Sequence, residues 1–170
     1  VAESLKLEKL GKASNNFMSY GAYPGLNGGN LFARGISMGG GVRELNTDVI
    51  KEDLSHSWMS NQKTPRHPFE GITNPTAEAE NGYTWCKGPR LDGAVMEVGA
   101  LARQLIEGHP LIVDLVAKSG GNVCNRIIAR LLEIARLVPV MEDWARDLQP
   151  GEPFCTHQSL PEEGQGAGLI

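Results

Sequence analysis

The chain has 170 residues, 41% hydrophobic and 21% charged, with a formal net charge of −4 and a pI near 5.6. That balance suits a globular chain and excludes the clustered basic face that nucleic acid requires. No apolar run approaches the roughly 20 residues that cross a bilayer, and the best of them, residues 110–117, is broken by Asp114. One domain is the natural count, and a chain of this size can bury roughly 70% of the surface its unfolded form exposes. The sequence opens on Val1 with no basic stretch leading into an apolar one, so neither a translation start nor a signal peptide is visible and the start reads as processed or cut.

Residues 2–10 place Leu5, Leu7 and Leu10 among good helix formers ahead of Gly11, which predicts the last turns of a helix. Residues 15–24 are rich in turn formers but carry Phe17, Met18, Tyr20 and Tyr23, a pattern that can pair as a short strand before a loop over residues 25–30. A second short strand is expected through Leu31, Phe32, Ala33, Ile36 and Met38, ended by Gly39, Gly40 and Gly41. Residues 48–60 read as a strand leading into a turn, and residues 62–83, with Pro65, Pro68 and Pro75, as an extended loop.

The second half changes character. Residues 95–107 and 110–118 are predicted helices, the latter with Pro110 in the first turn, where its missing donor does no harm. Asn122 is placed to cap a longer helix in which Cys124, Ile127, Ile128, Leu131, Ile134, Ala135 and Val138 recur mostly at three and four residues. Pro139 should kink that helix or begin a second one through Leu148. The spacing predicts that Ile127, Leu131, Ile134, Val138, Met141 and Trp144 enter the core, with Arg126, Arg130 and Glu133 on a neighbouring wet face. The tail from Gln149 returns to loop. The expected class is α+β, with short strands and long loops in the first half and a helical second half.

Candidate chemistry is sparse. Cys86, Cys124 and Cys155 are odd in number and form no Cys-x-x-Cys pair, and His56, His67, His109 and His157 are equally scattered. Cys86, beside Trp85, reads as a small buried side chain rather than a redox ligand. His56 reads as a histidine hydrogen-bonded in a turn rather than the lining of a path. Glu97 with Arg103, and Arg126 and Arg130 with Glu133, resemble proton carriers, but surface ion pairs at helical spacing are the better reading. Gly164, Gly166 and Gly168 invite a dinucleotide-loop reading, yet no strand precedes them and no acidic partner follows, so a glycine-rich turn is expected.

Specificity enters at Gly82-Tyr83-Thr84-Trp85-Cys86-Lys87-Gly88-Pro89-Arg90, followed by Ala94-Val95-Met96-Glu97-Val98-Gly99-Ala100-Leu101-Ala102-Arg103. These strings resemble the tyrosine, tryptophan, Lys-x-Pro-Arg and Met-Glu-Val-Gly-Pro-Leu-Ala-Arg stretches of [NiFe] hydrogenase large subunits. The stretch from Ala13 to Pro24, and His56-Ser57-Trp58, are similar to the same family, as is the helix over residues 122–148. Ala100 replaces a common proline, and Cys86 stands where the family is usually apolar.

The resemblance implies an internal segment, residues 1–170, of the larger large-subunit fold. Its parent enzyme would split hydrogen reversibly into protons and electrons at a nickel–iron centre. In that family four cysteines in two Cys-x-x-Cys motifs hold the metals, soft thiolates suiting redox-active nickel and low-valent iron. Neither motif is present, so no catalytic, cofactor-binding or metal-ligating residue is assigned within the chain. The implied partners are the rest of the large subunit and a small subunit carrying iron-sulfur clusters, in a periplasmic or membrane-associated setting, and the implied role of this segment is scaffold. The competing expectation is a non-catalytic relative, a hydrogen sensor or maturation partner that keeps the fold without the metal motifs.

Overall fold

A computed structural model describes residues 6–24, 29–60, 64–155, 157–164 and 166. Two short antiparallel sheets lie ahead of three helices. Strand β1 (Phe17–Pro24) pairs with β2 (Asn30–Ser37), with Phe17 opposite Ser37 and Ala22 opposite Phe32. β3 (Ile50–Asp53) pairs with β4 (Gly88–Leu91), Ile50 opposite Leu91. Helices α1 (Ala100–Glu107), α2 (Pro110–Ser119) and α3 (Val123–Arg146) follow. The α+β order expected from the sequence is therefore the observed one, and no helix among the described residues is long and apolar enough to cross a membrane.

Alternation along β1 creates two cores, because successive side chains of a strand point to opposite faces. Phe17 turns toward the helices and is buried with Ala100, Leu101, Ala102, Ile112 and Ala129. Met18 turns the other way, to Leu45, Ile50 and Leu91. β1 is thus the shared wall of a helical layer and a sheet layer.

Several expectations are corrected. Of the helix expected over residues 2–10, residues 1–5 lie outside the described residues, and Leu7–Lys9 is a single 3-10 turn. Of the loop over residues 25–30, residues 25–28 also lie outside them, and Asn30 already belongs to β2. The helix expected from residue 95 begins only at Ala100. Ahead of it, Glu97 N–H donates to Asn16 O at 2.7 Å and Met18 N–H donates to Glu97 O at 2.9 Å. These bonds take Glu97 into a parallel bridge with Phe17. Gly99, at φ 102, then makes a turn that a helix cannot contain.

Pro139 does not start a second helix; α3 runs through it from Val123 to Arg146. Asn122 caps α3 as expected, its Oδ1 accepting from Asn125 N–H at 3.0 Å. The larger correction concerns the buried face. Ile127, Leu131, Ile134, Val138 and Met141 are exposed, Leu131 by 63%, and Trp144 is half-buried against Tyr23. The face that packs inward carries Cys124, Asn125, Ala129 and Glu133. Small and polar residues win that contact because they bring α3 close to α1 and bond across it. Gln104 Nε2 of α1 donates to Ala129 O at 2.7 Å and Arg103 of α1 pairs with Glu133, while Asn125 Nδ2 ties α3 to the end of α2 by donating to Gly120 O at 2.8 Å.

Candidate functional site

The strings that carried the sequence reading meet at two places. At the first, His56-Ser57-Trp58 is laid along Tyr83-Thr84-Trp85-Cys86. Trp58 N–H donates to Thr84 O at 2.8 Å, Tyr83 N–H to His56 O at 3.0 Å, and Ser57 Oγ to Cys86 O at 2.5 Å. Trp58 and Trp85 have ring centroids 5.0 Å apart, and the His56 ring lies 5.5 Å from that of Tyr83. Gly82 is required here, since a Cβ would enter the Trp58 ring. Beside this seam is a cavity of about 330 Å³ lined in part by His56, Tyr83, Cys86 and Arg90. Cys86 is exposed, not buried as its place beside Trp85 suggested; Trp85 and Tyr83 of the same stretch are exposed too, by 52% and 73%, so this side of the seam covers no core. His56 joins through its backbone carbonyl and its ring face.

One ion pair ties the cluster to the β3–β4 sheet and a second lies within that sheet. Lys87 Nζ lies 3.0 Å from Glu52 and Arg90 lies 3.9 Å from Asp53. Asp53 Oδ1 also accepts from Ser55 N–H at 2.9 Å. The Ser55 backbone and hydroxyl donors, aided by Arg90 and His56, hold the Asp53 carboxyl below the usual carboxylate range, against the opposing effect of burial.

At the second place, three distant segments are clasped by Arg126. Its Nε and Nη2 reach the two Glu97 oxygens at 2.6 and 2.9 Å, while Nη1 donates to Gly11 O at 2.7 Å. The bonds to Glu97 push the arginine further toward its charged form, more than burial opposes it. Asn15 Oδ1 accepts from Gly121 N–H at 2.8 Å. A side chain on Gly120 or Gly121 would strike Asn15 or Glu97, so this turn needs glycine. A cavity of about 600 Å³ opens beside the clasp, lined by Ser14, Val95, Val98, Arg126 and Arg130 among others.

Of the acidic and basic residues singled out from the sequence, Glu97, Arg103, Arg126 and Glu133 are ion-paired, across elements rather than along one helix, whereas Arg130 meets no carboxylate among the described residues. Arg103 joins Glu133 at 2.6 and 3.1 Å, and Arg136 joins Glu107 at 2.6 and 2.7 Å. Glu133 is buried and Arg126 half-buried, which corrects the wet face expected for them; Arg130 is exposed. Sequence spacing missed these pairs because their partners lie 29 or 30 residues away.

The described donors are dispersed rather than gathered for a nickel–iron centre. Cys124 is buried inside α3, Cys86 and Cys155 are exposed, and among the described residues Cys155 Sγ meets His157 Nε2 at 3.6 Å. Among the described residues no three His, Cys, Asp or Glu side chains converge as a metal site. Such a centre needs paired soft thiolates, and the described residues do not fit it. What the two clusters do offer is positioning, through charge-paired joints that fix distant segments. The glycine-rich end falls largely outside the described residues, with Gly164 and Gly166 in exposed coil.

A family model described as nickel-dependent hydrogenase matches residues 1–168. The uptake hydrogenase large subunit of Azotobacter chroococcum is 32% identical over 216 aligned positions, which cover 94% of this chain and 36% of that protein. The periplasmic [NiFeSe] hydrogenase large subunit of Desulfomicrobium baculatum is 24% identical over 183 positions, covering 96% of this chain and 36% of that one. The structure of the reduced, active Ni-Fe-Se hydrogenase from Desulfomicrobium baculatum superposes with a TM-score of 0.77 at 22% identity, over 94% of this chain and 37% of that one, a likeness of fold. The chain thus spans little more than a third of the length of these relatives. With a family match along nearly its whole length and the family's strings gathered at two structural joints, the chain belongs to the nickel-dependent hydrogenase family.

Proposed function

We propose that these residues work as a structural segment of a [NiFe] hydrogenase large subunit, whose parent enzyme reversibly converts H2 into protons and electrons. The observation that carries the reading is the family match over residues 1–168, on a fold that follows hydrogenase large subunits at a TM-score of 0.77. In this reading the metal-holding thiolates come from other parts of the large subunit, and a small subunit bearing iron-sulfur clusters takes the electrons away. The segment itself acts as scaffold. Arg126 draws Gly11, Glu97 and the start of α3 together, and the aromatic seam, with Tyr83 and Trp85 exposed and Trp58 half-buried, offers a surface of the kind enriched at protein interfaces.

The test is made on the complete complex that contains this chain, purified without air. Stoichiometric nickel and hydrogen-dependent reduction of a low-potential dye are expected. A folded complex with neither would overturn the enzymatic reading in favour of a non-catalytic hydrogenase-like role.

A further inference from the structure

We draw no further inference here: the strongest candidate, the cavity of about 330 Å³ beside the aromatic seam, where the exposed Cys86 thiol lies among His56, Tyr83 and Arg90, rests on a lone cysteine with no second observation that points to a ligand.

Discussion

Replacing Ile112 with Ala and Leu131 with Ala removes the same three carbons from two neighbouring helices, yet the structure assigns the two losses very different sizes. Ile112 is fully buried among Phe17, Leu101 and Ala129, whereas Leu131 is 63% exposed. At about 0.8 kcal/mol per buried methylene, the Ile112 change forfeits roughly 2.4 kcal/mol of transfer energy before any cavity term. Partial collapse around the void places the total at about 2 to 5 kcal/mol. For Leu131 little more than a third of that transfer energy is at stake, so the loss in this chain is under about 1 kcal/mol, softened further because Ala is the better helix former. Urea denaturation followed by far-UV circular dichroism compares the variants directly. Equal losses would refute the reasoning, since they would mean that the outer face of α3 is core within these residues.

Other consequences of the packing are open to measurement. Glu97→Gln or Arg126→Lys breaks the two-pronged pair and should cost about 1 to 3 kcal/mol, with a double-mutant cycle showing strong coupling between the positions. Independent, additive losses would count against the clasp. Gly82→Ala drives a methyl into the Trp58 ring and should lower stability by about 1 to 3 kcal/mol, with a changed near-UV tryptophan signal; an unchanged spectrum and midpoint would argue against that close approach. The Asp53 carboxyl is held below its ordinary range, so its contribution is present above the pKa of an unfolded aspartate and is lost as pH falls through the lower folded value. Asp53→Asn should therefore be less stable than the parent at neutral pH, and the two should converge in acid; a constant gap down to the lowest pH would refute the assignment. Finally, the isolated chain should retain no stoichiometric nickel after a chelator wash, checked by metal analysis, because its described donors do not converge.

Much of the local structure follows from short-range chemistry that a sequence displays. Alternation and turn residues marked β1 and β2, Pro110 opened α2, and Asn122 capped α3, each a matter of a few adjacent residues. The family strings were legible for the same reason, since they are contiguous. Three other features depended on distant chain. The helix start moved from residue 95 to Ala100 because Glu97 found backbone partners in Asn16 and Met18, some 80 residues earlier. Glu133 and Arg126 left the predicted wet face because Arg103 and Glu97 lay across from them.

The apolar stripe of α3 shows the division most clearly. Periodicity determined by itself that Ile127, Leu131, Ile134, Val138 and Met141 share one face, because 3.6 residues per turn is a property of the backbone. Which face turns inward was decided only in the tertiary structure. Ala129 lets α3 approach α1, where Gln104 and Glu133 supply directional bonds that the aliphatic stripe cannot make, and Asn125 does the same toward the end of α2. Hydrophobic burial has no direction, so the stripe can wait for any matching surface, whereas a buried carboxylate must meet its guanidinium at the moment of packing.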